Sequence, residues 1–201
     1  MNEKLAKALE EAYRITFLTG AGISVPSGLP QYQGNGDGKQ AYEAIATELD
    51  EKIQDAKPSI GHLFIAGLFQ IGKDVKVITQ NIDGLHQKAG MPEDRVVEVH
   101  GSHVRGSVVA FGQDLSEDTW TKARNAICDA DLLVVVGTSL TVSPVCHLPE
   151  LALENKIPVW ILNKSKTPLD WQIYPNIINE DLTKVLSLEY IRLARKIKED
   201  V

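Results

Sequence analysis

The chain has 201 residues, 43% of them hydrophobic and 24% charged, with a net charge of −6. These values fit one globular domain with an ordinary core and argue against a general nucleic-acid binder, which would show a basic face. The two cysteines, Cys128 and Cys146, make neither a disulfide framework nor a thiolate metal site, and no apolar run approaches the roughly 20 residues of a membrane helix. No metal, no direct nucleic-acid contact and no membrane partner are therefore expected. The charged, helix-like residues 1–14 are unlike a signal peptide, so a cytoplasmic protein is expected.

Residues 3–13 carry Leu5, Ala8, Leu9 and Ala12 at helical spacing. Residues 15–19 read as a buried strand ending at Gly20. Residues 31–40, rich in Gly and Gln, are expected to form a loop, and 41–57 a weak helix. Pro58 and Ser59 open a further helix with Leu63, Ile65, Leu68 and Phe69 at apolar positions, ended by Gly72. Residues 75–79 and 95–99 read as strands, and 104–111 as a short extended segment. A helix over 116–129 is capped by Ser116, with Glu117 and Asp118 in its first turn, where the helix dipole favours them. Residues 132–136 form the clearest core strand. A helix over 147–155, strands at 159–162 and near 177–178, and a C-terminal helix over 181–198 follow.

Strands alternating with helices imply right-handed crossovers and an α/β fold, a mostly parallel sheet with helices on both faces. Ligands in such sheets bind beyond the carboxyl ends of the strands. The polar loops Gly20-Ala21-Gly22-Ile23-Ser24, Gln80-Asn81-Ile82-Asp83, His100-Gly101-Ser102 and Gly137-Thr138-Ser139 all sit at such ends.

Glycines at 20 and 22 let the backbone approach a diphosphate, and a following helix N-terminus would favour its charge. Val25 stands where the usual dinucleotide fingerprint has a third small residue, so a plain tight turn is the alternative. Gln80, Asn81 and Asp83 can hold ribose hydroxyls or a carboxamide, or simply shape a turn. His100 at a strand end can serve as a general base near neutral pH, or be structural. His62, His86, His103 and His147 read as structural. Thr138 and Ser139 can hold phosphate or ribose, and Asn163 another ribose hydroxyl. Loop capping is the alternative for all three.

Taken together, these segments resemble the sirtuin family of NAD-dependent protein deacylases. The matching stretches are Gly20 to Gly34 (GAGISVPSGLPQYQG), Gln80 to His86 (QNIDGLH), Val99 to Ser102 (VHGS), Phe111-Gly112, Gly137 to Leu140 (GTSL) and Thr167 to Asp170 (TPLD), in the family's order. The resemblance implies a Rossmann-like domain, NAD as cosubstrate, and an acyl-lysine protein or peptide as partner. It implies that Gly20, Ala21 and Gly22 cradle the diphosphate, with Ser24, Tyr32 and Gln33 in the same cofactor loop. Gln80, Asn81, Ile82 and Asp83 would line the nicotinamide and ribose pocket. His100 would be the base that activates a ribose hydroxyl, with Asn81 beside it in the catalytic set. Gly137, Thr138 and Ser139 would contact phosphate and ribose. Asn163, Lys164 and Ser165 would flank the adenosine ribose, with Leu182 by the adenine. Phe111, Gly112 and Val142 would bind the acyl-lysine peptide, which pairs by strand addition. Cleavage of the nicotinamide–ribose bond develops oxocarbenium character, as in glycoside hydrolysis, and the acyl oxygen of the substrate replaces an enzyme nucleophile.

The chain departs from the family in two places. Gln31-Tyr32-Gln33 stand where most sirtuins have Asp-Phe-Arg, which keeps an aromatic wall but removes the fixed charge and forked donors of Arg. Only residues 103–110 fill the gap in which sirtuins usually carry a zinc module with two cysteine pairs. One Rossmann-like, zinc-free domain over 1–201 is expected, with 34–58 as a vestigial helical module. Residues 34–58 contain no Arg to pair with an acidic acyl group such as succinyl. The trimmed cleft leaves an NAD glycohydrolase or ADP-ribosyl transferase as one alternative. Gln31 and Gln33 leave a non-catalytic NAD or ADP-ribose binding module as another. Homo-oligomer formation stays open.

Overall fold

The computed structural model describes residues 3–30, 51–109 and 113–187. The expected loop at 31–40, most of the expected helix at 41–57, and Tyr32, Gln33, Phe111 and Gly112 lie outside the described residues, as does the end of the C-terminal helix.

The strands are β1 (Arg14–Thr19), β2 (Asp74–Thr79), β3 (Val96–Glu98), β4 (Leu132–Val136), β5 (Val159–Leu162) and β6 (Ile177–Ile178). They form one sheet in the order β3-β2-β1-β4-β5-β6, and every pairing is parallel. This is the Rossmann-type order, which reverses between β1 and β4. The helices are α1 (Glu3–Glu11), α2 (Ile60–Gln70), α3 (Leu85–Lys88), α4 (Glu117–Cys128), α5 (Leu148–Glu154) and α6 (Asp170–Ile173). Residues 51–55 and 182–187 are also helical.

The sheet is buried on both faces, which is why its strands are continuously apolar rather than alternating. Along β4, Leu132, Val134 and Val136 pack into one core cluster with Leu5 of α1 and Phe64 of α2. Leu133 and Val135 point the other way, toward Ile127 of α4 and Ala152 of α5. Phe17 of β1 meets Phe64 edge-on at a centroid distance of 6.5 Å. Ser59 caps α2, and the His62 side chain accepts reciprocally from the cap amide.

The extended segment expected at 104–111 is not a strand over its described part. Residues 103–106 form a turn instead, with Gly106 at φ +64°. The chain then doubles back, so that Ser107 N donates to Ser102 O and Val109 N to His100 O, each at 2.9 Å. These bonds take up the amides that a sheet neighbour would have used.

Register places the site. Glu98, Thr79, Thr19, Val136, Leu162 and Ile178 lie in one row across the sheet. Every loop that follows a strand therefore opens on the same edge.

Candidate active site

Where β1 and β4 part, their loops interlock. Gly20 N donates to Val136 O at 3.1 Å and Gly22 N to Gly137 O at 2.8 Å. A Cβ on Gly22 would stand 2.7 Å from the Gly137 Cα, and one on Gly20 would stand 2.7 Å from the Thr138 Cβ. Gly137 has φ +63°, and a Cβ there would meet Ile23 N at 2.5 Å. Backbone thus forms this wall of the site, where a phosphate could approach closely. The expected helix after Gly20 is absent. Residues Ala21–Ile23 and Val25–Ser27 form short 3-10 turns, so no long helix dipole points at the site.

The loop after β2 is woven into this wall. Gln80 Nε2 donates to Thr138 Oγ1 at 2.8 Å. Asn81 Nδ2 donates to Gly20 O at 3.2 Å and to Ser24 Oγ at 3.0 Å. Ser24 Oγ in turn donates to Asp83 Oδ2 at 2.6 Å, and Leu85 N to Asp83 Oδ1 at 3.0 Å. Asp83 is buried, and desolvation pushes its carboxyl above the usual carboxylate range, against the opposing pull of these hydrogen bonds.

Behind the loop stand two buried histidines. The rings of His62 and His86 are 4.7 Å apart in an edge-on arrangement. His86 Nε2 and Thr19 Oγ1 share a hydrogen bond of 2.9 Å. Burial lowers His62 to about 3 and His86 well below its ordinary 6.5. Both belong to the scaffold beneath the site.

The loop after β3 carries His100. Its imidazole is pushed below the ordinary 6.5 by desolvation, so it is neutral at pH 7. Gly101 has φ +75°, and a Cβ there would overlap the Ser107 carbonyl of the returning chain. His103 N donates to Ile82 O at 2.9 Å, joining this loop to the one after β2.

These loops enclose a cavity of about 740 Å³. Gly20, Ala21, Gly22, Ser24, Gln80, Asn81, Ile82, Asp83, His100, Gly137, Thr138, Ser139, Val142, Asn163, Lys164 and Ser165 all line it. Leu182 does not. It turns inward from the helical residues 182–187 and packs with Ile178 and Leu186 in the core. An apolar side chain facing the sheet is better buried there than beside a polar ligand.

The Sir2 family profile matches residues 36–107 and 102–144. The chain belongs to the Sir2 family. It is 33% identical to an NAD-dependent protein deacetylase of Listeria monocytogenes, over 90% of this chain and 97% of the relative. The NAD-dependent protein deacylase 1 of Caldanaerobacter subterraneus is 35% identical over 82% of this chain and 88% of its own length. A solved structure described as Sir2, p53 peptide and NAD+ superimposes with a TM-score of 0.80 at 26% identity, covering 94% of this chain and 96% of the other. Sir2Tm bound to a propionylated peptide gives a TM-score of 0.82 at 28% identity, covering 94% and 97%.

The Listeria alignment spans 229 positions, more than the 201 residues of this Sir2 chain, so the relative carries residues with no counterpart here. The family's zinc does not fit the residues present. Cys128 ends α4 and Cys146 lies in the turn before α5, leaving no set of four thiolates. Among the described residues no cluster of three or more His, Cys, Asp and Glu is arranged to hold a metal. Nor is any helix among them long and apolar enough to cross a membrane. A dinucleotide does fit: glycine backbone, hydroxyls, amides and an imidazole share one cavity.

Residues outside the motifs also line this Sir2 cavity. Val108 and Val109 come from the returning chain, Ile53 from the helical residues 51–55, and Gln113, Asp114 and Leu115 from the approach to α4. Apolar residues in ordinary loops carry no local sequence signal. Only the missing cysteines between Ser102 and Phe111 hinted that this short segment replaces a larger one.

Proposed function

We propose that this chain is an NAD-dependent protein-lysine deacylase that releases nicotinamide and transfers the acyl group to ADP-ribose. The carrying observation is convergence: His100, the Asn81–Ser24–Asp83 network and the glycine wall of β1 and β4 face one cavity. The relatives named deacetylase and deacylase, and the solved structures with NAD and acyl peptide, support the reading. Action on cytoplasmic acyl-lysine proteins is part of the same proposal.

NAD supplies a ribose that carries nicotinamide as leaving group and hydroxyls that take up the acyl group. The residues of the chain bind, orient and move protons around it. The Cβ-less backbone of Gly20 and Gly22, with Ala21, Thr138 and Ser139, lets the diphosphate lie close against the wall. Asn163, Lys164 and Ser165 flank the far ribose. Asn81 and Asp83, cross-linked through Ser24, orient the nicotinamide end. His100, kept neutral by burial, accepts the proton of a ribose hydroxyl at an imidazole nitrogen. Val108, Val109, Leu29 and Ile53 make the cavity apolar where the acyl chain would lie, which excludes water that would otherwise divert the reaction to NAD hydrolysis. Tyr32, Gln33, Phe111, Gly112 and Val142 complete the assignment as cofactor lid and peptide edge.

The test is nicotinamide release from NAD by the purified protein, with and without an acetyl-lysine peptide, beside His100→Ala. Release that needs the peptide and is lost in His100→Ala supports the deacylase. Release without peptide assigns the chain to NAD hydrolysis or ADP-ribosyl transfer. NAD binding without any release leaves a binding module.

A further inference from the structure

We propose that the Glu98–Arg105 ion pair is a positioning element for this reaction, clamping the returning segment 103–109 against the His100 loop. The proposal rests on the deacylase reading for its turnover measurements, but the pair itself stands on geometry.

Glu98 ends β3, two residues before His100, and its side chain is only 3% exposed. Among the described residues Arg105 is the cation that reaches this carboxylate, through Nη2, and neither carboxylate oxygen has another hydrogen-bond partner. Arg105 remains 46% exposed and also approaches Glu93, with Nη1 3.9 Å from Oε1. A buried carboxylate left without its cation would be strongly disfavoured. The pair therefore resists any movement of Arg105 away from β3.

Arg105 sits at the tip of the turn, and the chain beyond it is what the clamp holds. Val109 N donates to His100 O at 2.9 Å, and Ser102 N to Ser107 Oγ at 3.2 Å. Val108, Val109 and His100 then line the cavity side by side, while neither Glu98 nor Arg105 lines it. The pair thus acts through other residues. It closes the base of a loop whose far end sets the imidazole and the apolar wall beside it. The charged contact at the turn thus adds to the backbone bonds that hold this segment in place.

The experiment uses the full chain with Glu98→Gln, Arg105→Ala, the double variant, Arg105→Lys, and Lys122→Ala as a surface control. Kinetics are read below the lowest melting temperature of the set. Each single change should lower kcat/KM for the acetyl-lysine peptide by about tenfold to a hundredfold, the range expected of small misplacements. KM for NAD should stay within about twofold, because uniform cofactor binding is untouched. The double variant should be no worse than the poorer single, and Arg105→Lys should recover part of the loss. A second arm needs no turnover: the His100 ring signals in NMR spectra of histidine-labelled protein should move alike in Glu98→Gln and Arg105→Ala, and not in Lys122→Ala. Wild-type kcat/KM in folded Arg105→Ala, or losses that multiply in the double variant, would overturn the proposal. If the wild type releases no nicotinamide, the deacylase reading fails on its own, and unmoved His100 signals would then sink the clamp.

Discussion

Ser24 and Asp83, 59 residues apart in the chain, are joined by a 2.6 Å hydrogen bond. The same hydroxyl accepts from Asn81. One small side chain thus links the loop after β1 to two polar groups of the loop after β2. Ser24→Ala would leave Asp83 with one donor fewer in a buried site. The expected outcome is a loss of about 1–3 kcal/mol, the penalty of an unsatisfied buried acceptor. At this chain length that is a fall in Tm of roughly 2–4 °C per kcal/mol, read by thermal denaturation. Nicotinamide release should fall with it, since Asn81 loses a fixed acceptor.

Gly137 meets two demands that no other residue satisfies, a φ of +63° and an approach to Ile23 N. Gly137→Ala should cost about 1–3 kcal/mol in backbone strain alone, before the clash is counted. NAD at a hundred times its Kd should stabilise the wild type by about 2.7 kcal/mol, and this increment should vanish in the variant. Thermal shift with and without NAD measures both effects.

His100 must be neutral to accept a proton, and burial lowers it below 6.5. Peptide-dependent nicotinamide release should rise with pH on the acid side, with its midpoint below that value. His100→Ala should lower the rate by about 10²–10⁴. A rate that still climbs steeply between pH 7 and 8 would contradict a half-buried, neutral base. The measurement is a pH profile of kcat/KM.

Stability itself should depend on acid through His62 and His86. Both are held neutral in the folded protein, one at about 3 and the other well below 6.5. Unfolded, each takes up a proton near 6.5, so the unfolded state binds more protons as pH falls. Stability is therefore full above about 6.5 and drains away below it, by up to ~1.4 kcal/mol per pH unit for each histidine. Asp83, with its carboxyl raised, acts in the opposite sense from the ordinary carboxylate range upward and softens the slope there. Chemical denaturation at pH 7 and pH 5 should show the drop. His62→Leu should flatten it while losing the cap it shares with Ser59.

Much of this was readable from local pattern. The run Leu132 to Val136 announced a strand buried on both faces, and it has Leu133 and Val135 in one core cluster with its other residues in the second. Ser116 announced the start of α4 and caps it through Thr119 N. The polar loops at strand ends were visible because Gly, Asn and Asp interrupt apolar runs. Hydrophobic periodicity and turn chemistry are properties of neighbours in sequence, so they survive without a structure.

What needed the folded chain is pairing. The strand order, and with it the gap between β1 and β4 where Gly22 meets Gly137, is set by which apolar faces cover each other across long loops. Residues 104–109 have strand-like composition, yet backbone bonds to His100 and Ser102 bend them into the cavity wall. Leu182 has the character of a ligand neighbour or a core residue alike, and the helical turn that carries it decides for the core. The raised carboxyl of Asp83 and the neutrality of His62 and His86 follow from burial, which the sequence states only for apolar side chains. The polar loop motifs and the long core strands and helices were thus legible in the sequence alone. Which of them touch, and what that contact does to a charge, was decided by tertiary packing, because desolvation and close approach depend on atoms far away along the chain.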